Sequence, residues 1–210
     1  MKYLVTGGAG FIGSNLVETL LKQHHSVVVV DDESATSNTQ FYRPERNYYK
    51  VDICDYPAME NIFKRHEPDC ILHLAAKARI QPSIQNPKAT ITTNVLGTNN
   101  LLKLGHEYGA DRLVLSSTSA VYGLKNTPPL KEDMTRQCLN PYSISKASAE
   151  DLCKFYYNVH GFKTIILRYF NVFGPRQPLK GDYAPVIGLF LRQREAGTPL
   201  TIVGDGTQTR

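Results

Sequence analysis

"KYLVTGGAGFIG", Lys2 to Gly13, is the stretch on which the reading of the chain turns. A short apolar run passes into closely spaced glycines, and an amphipathic segment from Phe11 to Lys22 follows at once. The order is strand, tight turn, helix. Glycine permits such a turn and lets main-chain N–H groups approach an anion at a helix N-terminus, where the macrodipole favours negative charge. Gly8, Gly10 and Gly13 satisfy G-x-G-x-x-G, and Gly7, Gly10 and Gly13 satisfy G-x-x-G-x-x-G. Alone, the motif also fits a strand-to-helix turn that holds no ligand.

Working outward, apolar runs alternate with helical patterns. SVVVVD (26–31) and NYYKVD (47–52) precede a helical stretch from Ala58 to Arg65, and DCILHLA (69–75) precedes a long helix from Lys88 to Tyr108. RLVLSS (112–117), a Pro-containing loop, a helix from Ser143 to His160 and KTIILRYF (163–170) complete the series. Val-, Ile- and Leu-rich strands without polar alternation belong to a parallel sheet covered on both faces, so the expected fold is a doubly wound α/β (Rossmann) domain over 1–170. Beyond Phe170 the turn-rich NVFGPRQPLKGD, a helix from Ala184 to Ala196 and a short strand LTIV (200–203) read as the start of a smaller substrate-binding region, 171–210, that does not complete.

The context strengthens the glycine motif. Asp31 ends the second strand, 18 residues after Gly13, where a carboxylate accepts from a ribose 2′-hydroxyl and repels a 2′-phosphate. NAD is therefore expected over NADP, with Asp32 able to share the role. Asp52 and Ile53, after the third strand, are placed beside the adenine. In NPYSISKASAE (140–150), Tyr142 and Lys146 lie four apart and share one face if the segment is helical. An ammonium beside a phenol stabilises the phenolate and lowers its pKa, which makes a usable base.

Composition excludes other classes. With 41% hydrophobic and 20% charged residues the chain is of ordinary globular type. The net charge of +5 is scattered rather than gathered in a stripe, which argues against nucleic acid. Strand-like sequence begins at Lys2 and no apolar run could span a bilayer, so a cytoplasmic location without membrane contact is expected. The four cysteines, Cys54, Cys70, Cys138 and Cys153, have no C-x-x-C pair, so free, buried or half-buried thiols and no metal site are expected.

Taken with the loop LVLSSTSAVYG (113–123), HLAAKA (73–78), NVLGT (94–98), RYFNVFGPRQ (168–177) and GDGTQTR (204–210), these motifs resemble the extended short-chain dehydrogenase/reductases, specifically the NAD-dependent nucleotide-sugar epimerase/dehydratase family. The resemblance implies Tyr142 as base, Lys146 as the residue that tunes it and binds the nicotinamide ribose, and Thr118 as hydroxyl partner of the reacting sugar oxygen. Ser117 and Ser119 come next. It further implies cofactor contacts at Gly7, Gly10, Phe11, Ile12, Gly13, Asp31, Asp52, Ile53, Ala75 and Asn94, the last also supporting the active-site helix. Sugar and diphosphate contacts are implied at Ser83, Ser117, Thr118, Asn171 and Arg210, and Arg176 is divided between a ligand role and a surface one.

The first step implied is oxidation at sugar C4. Dehydratases of the family resemble one another in carrying Asp-Glu before Val-Tyr-Gly, and decarboxylases typically carry the Glu. Here those positions are Ser119 and Ala120. The loop thus has no acid for C5 or C6, and 4-epimerisation of a UDP-sugar is expected, with dehydration or decarboxylation as the alternative. Family resemblance also implies a homodimer paired through the helices at 88–108 and 143–160. Because family members ordinarily continue past the GDGTQTR motif, the 210 residues are expected to fold and retain NAD but to epimerise poorly, and a non-catalytic NAD-binding protein is the reading from another class.

Overall fold

The computed structural model describes residues 1–34, 47–177, 186–202 and 204–207. Its strands are β1 (Lys2–Thr6), β2 (Ser26–Asp31), β3 (Tyr48–Lys50), β4 (Cys70–His73), β5 (Arg112–Thr118) and β6 (Lys163–Tyr169). They form one parallel sheet in the order β3-β2-β1-β4-β5-β6. Chain order reverses between β1 and β4, and in such sheets ligands bind in the crevice beyond the carboxyl ends of the strands at that point. The doubly wound fold read from the sequence is the fold present.

Apolar residues at every position of a strand serve two faces at once. Leu4, Val28 and Val30 pack on one side with Phe63, Leu101, Leu102 and Leu104. Val5, Val27 and Val29 pack on the other with Leu20. The second face is covered by α1 (Phe11–Lys22), the first by α2 (Tyr56–His66), α5 (Gly97–Glu107) and α6 (Pro141–His160). Removing a wholly buried side chain such as Phe63 or Leu101 costs about 2 to 5 kcal/mol.

The long helix expected from Lys88 to Tyr108 is present from Pro87 to Glu107, with a change of pitch inside it. It consists of α4 (Pro87–Ile91), a π-helical turn at Thr92–Leu96 and α5, and a short α3 (Ile80–Gln85) precedes it. Asn94 lies inside the π turn. At α6 the local chemistry is explicit. The Asn140 side chain accepts from Ser143 N–H at 2.9 Å while Ser143 Oγ accepts from Asn140 N–H at 3.2 Å, a reciprocal capping box. Pro141 opens the helix and Gly161, in the left-handed region at φ 67°, closes it. Tyr142 is thereby fixed in the first turn. All four cysteines are free thiols, Cys70 and Cys153 buried and Cys54 and Cys138 half-buried.

Two compact units are distinguished, Met1–Phe170 and Asn171–Arg210. The second contains α7 (Val186–Glu195); Ala184 and most of the GDYAPVI segment lie outside the described residues. The strand expected at 200–203 is absent over Leu200–Ile202, and Val203 is outside the described residues. The Thr201 N–H is bonded instead to the Gln193 side chain of α7 at 3.0 Å, which leaves no donor there for a strand partner.

Candidate active site

The glycine turn is defined by atoms it lacks. Gly7 has φ 71°, and a Cβ on it would stand 2.6 Å from Ala75 N. A Cβ on Gly13 would strike the Gly7 carbonyl oxygen. The loops after β1 and β4 therefore meet main chain to main chain, with Ala75 forming the opposite wall of the crevice. Gly10 caps α1 without a side-chain hydrogen bond. The first-turn N–H groups of Phe11 and Ile12 have no acceptor within the helix. These features fit a dinucleotide pyrophosphate.

Asp31 stands beside this turn. It accepts from Ala9 N–H at 2.9 Å and Glu33 N–H at 2.8 Å. Burial raises its pKa, and these two N–H bonds partly offset that. A carboxylate offers about four lone-pair sites, so capacity remains for ribose hydroxyls. Asp32 is engaged by Ser34 at 2.7 Å and by Lys77 at 3.5 Å. Asp52 is exposed and accepts from Cys54 N–H at 2.9 Å. The Ile53 side chain is buried in the core against Gly97, because that glycine lets α5 approach closely.

Thr118, Tyr142 and Lys146 come together where β5 meets α6. The Thr118 hydroxyl lies near enough to the Tyr142 phenol to lower its pKa, and it accepts from Ala120 N–H at 3.1 Å, which caps the 3-10 turn Ser119–Tyr122. Lys146 is buried, and its Nζ donates to the Ser116 carbonyl at 2.8 Å. Desolvation lowers the Lys146 pKa to about 8, against opposing pulls from Cys153 and Glu150. The Tyr142 pKa is raised rather than lowered: burial pushes it up, and the nearby Thr118 hydroxyl only partly compensates.

Two residues implied as ligand contacts make internal hydrogen bonds. Ser83 is wholly buried; its hydroxyl donates to the Ile80 carbonyl at 2.6 Å and accepts from Tyr142 N–H at 3.2 Å. It satisfies an orphan donor of α6. Asn94 is buried, accepts from Lys77 N–H at 2.8 Å, and donates to the Lys77 carbonyl at 3.1 Å and to Ser145 Oγ at 2.8 Å. Both its N–H groups are engaged here, while its oxygen takes one of the two bonds it can accept. Ser145 donates in turn to the Tyr142 carbonyl at 2.7 Å. The Ser117 hydroxyl donates to Glu150 at 2.5 Å. Ser119 is half-buried on the 3-10 turn. Asn171, exposed, and Arg176, at φ 68°, belong to the second unit, and Arg210 lies outside the described residues.

Buried polar groups that the sequence reading did not single out complete the site. His73 sits between the Thr6 hydroxyl, 2.8 Å from Nδ1, and the Thr98 hydroxyl, 2.9 Å from Nε2. Thr98 donates to the Asn94 carbonyl at 2.6 Å, so it accepts from His73, and Nε2 carries the ring proton. Desolvation, with a smaller contribution from the Lys146 charge, depresses the His73 pKa to about 3. Glu150, wholly buried, accepts from Arg168 Nε at 3.0 Å and Nη2 at 2.8 Å. Burial would push its pKa up, but the bonds from Arg168 and Ser117 hold it below the usual value. None of these partners is near in sequence, which is why periodicity does not reveal them.

The model of the NAD dependent epimerase/dehydratase family matches residues 3–210. A UDP-glucuronate 4-epimerase of Thermodesulfobacterium geofontis is 35% identical over 99% of the chain and 66% of its own length. A UDP-N-acetyl-alpha-D-glucosaminuronate decarboxylase of Bacillus cytotoxicus is 37% identical over 99% and 65%. The crystal structure of a UDP-glucose 4-epimerase from Thermotoga maritima with UDP-glucose superposes with a TM-score of 0.91 at 36% identity, covering 98% of the chain and 67% of that protein. The chain thus spans about two thirds of the length of the relatives it matches.

Proposed function

The chain belongs to the NAD dependent epimerase/dehydratase family, and from that premise we propose that it inverts C4 of a UDP-linked sugar by oxidation to the 4-ketone and reduction from the other face. The observation that carries this reading is the turn after β5. It presents the hydroxyls of Thr118 and Ser119 and the methyl of Ala120, with no carboxylic acid. Glu150, the carboxylate bonded to β5, is held by Arg168 and Ser117 and is wholly buried. Dehydration and decarboxylation need proton transfers beyond C4, for which a free acid serves. Identity to the Bacillus decarboxylase supports that second reading.

In the proposed site Gly7, Gly10, Phe11, Ile12 and Gly13 hold the pyrophosphate of NAD, Asp31 its adenosine ribose, and Lys146 its other ribose. NAD supplies the acceptor of the electron pair leaving C4 and its donor on return. The Tyr142 phenolate takes the proton from the 4-hydroxyl and gives it back to the ketone oxygen, with the Thr118 hydroxyl nearby. Lys146 remains mostly charged at neutral pH. Residues 1–170 are proposed as the cofactor domain and 171–210 as the start of the sugar-binding region, with Asn171 and Arg210 proposed as substrate contacts.

The test is mass spectrometry and sugar analysis after incubation with UDP-glucose, UDP-N-acetylglucosamine and UDP-glucuronate, with absorbance of reduced cofactor followed in parallel. An epimer of unchanged mass is expected. Loss of water or carbon dioxide would transfer the assignment to the second reading. Exposed Leu96, on the π turn, and Phe155 and Val159, on α6, support the expected homodimer; light scattering that finds only monomer counts against it. No described helix is long and apolar enough to cross a membrane.

A further inference from the structure

Three consecutive residues of β5 each answer one turn of α6. The Ser116 carbonyl accepts from Lys146, the Ser117 hydroxyl donates to Glu150, and the Thr118 hydroxyl lies near enough to the Tyr142 phenol to lower its pKa. Tyr142, Lys146 and Glu150 are spaced by four and form one stripe along the helix. Neighbouring strand residues are about 3.3 Å apart, so a slip of the helix by one strand position would break all three contacts together. The first and last of this trio meet the groups assigned to chemistry. The middle one meets a carboxylate to which no role has been given.

Glu150 is not a surface acid folded under by chance. A buried carboxylate persists only when paired and hydrogen-bonded, and this one is held from several elements. Arg168 lies on β6 directly in register with Ser117 and binds both carboxylate oxygens. The Arg168 guanidinium is fixed by the Glu132 carbonyl at 3.1 Å and lies over the Tyr122 ring, 4.8 Å from its centroid. Arg136, from the loop before α6, approaches Glu150 to 3.6 Å and is itself bound to the Ala147 carbonyl and Asp151. On α6, Lys146 and Cys153 are the titratable neighbours that interact with it.

We infer that Glu150 is a positioning residue: through Ser117 and Arg168 it locks the register of β5 against α6 that brings the Thr118 and Tyr142 hydroxyls together and seats Lys146 on Ser116. Its negative charge also favours the ammonium form of Lys146. The inference deepens the proposed reaction and rests on it only for the effect on rate.

Protein labelled with ε-13C lysine and loaded with NAD tests both parts. The Lys146 resonance is assigned by its loss in Lys146→Met and titrated by NMR. In Glu150→Gln the Lys146 midpoint should fall by about half a unit or more, and reduction of bound NAD by UDP-sugar should slow roughly tenfold or more, with NAD affinity unchanged. In Ser117→Ala the charge remains, so the midpoint should stay while the rate falls. If Glu150→Gln strands Arg168 and does not fold, Glu150→Gln combined with Arg168→Gln replaces it. An unmoved midpoint in the Glu150 variant, or parent rates in both variants, overturns the inference. Failure of every UDP-sugar to reduce NAD in the parent would instead sink the proposed reaction, and the lysine titration would still decide the charge effect.

Discussion

The two walls of the crevice are made in opposite ways. On the β1 side, function depends on what is missing: Gly7 and Gly13 have no Cβ, and the backbone of one loop lies against another. On the β5 side it depends on what is present, a set of buried hydroxyl, amide, ammonium and carboxylate groups, each with a specific partner. The first wall tolerates no added atom; the second tolerates no removed one. This difference teaches where each wall should fail.

The largest effect should follow from taking one oxygen from the second wall. Tyr142→Phe is expected to slow NAD reduction by UDP-sugar about 10²- to 10⁴-fold while NAD affinity, measured by calorimetry, stays near the parent value. Equal damage to both would mean that the walls are not separable.

Next comes the group that ties them. His73 joins Thr6 of β1 to Thr98 of α5. Its folded pKa, about 3, lies below the ordinary 6.5, so the unfolded chain takes up the proton first as pH falls. The stability contributed by neutral His73 is complete above about pH 6.5 and is lost between there and pH 3. Urea unfolding should show a loss of roughly 3 kcal/mol between pH 6.5 and 4 that is absent in His73→Gln.

A smaller effect is expected on the first wall. Asp31→Ala should weaken NAD binding by about 1.5 to 3 kcal/mol and relax the preference over NADP; a titration with unchanged preference would remove Asp31 from the ribose. Smallest is the cap. Asn140→Ala should cost about 1 kcal/mol in thermal unfolding, with a further slowing of catalysis only if fraying of α6 reaches Tyr142.

The same contrast explains what the sequence revealed. Glycine spacing, Val-rich strands, and the Asn140-Pro141 start and Gly161 end of α6 are local signals, so the sheet and the first wall were legible. Tyr142 and Lys146 were visible because a helix places residues four apart on one face. Ser83 and Asn94 resembled ligand contacts, and their internal bonds, to partners 59 and 51 residues away, were not legible. Ser117 and Glu150 find each other across 33 residues. The π turn inside the long helix was hidden because it leaves the amphipathic pattern nearly intact in sequence while changing it in space.

That turn acts as a phase shifter. It accommodates one residue more than an α turn, and one residue is worth about 100° of rotation. Ile91 before it is exposed and Leu101 after it is wholly buried, while Asn94 within it faces inward to reach Lys77 and Ser145. The element that would otherwise be a single screw is two screws with an offset thread, and the offset lets one length of chain serve the crevice at one end and the hydrophobic interior at the other.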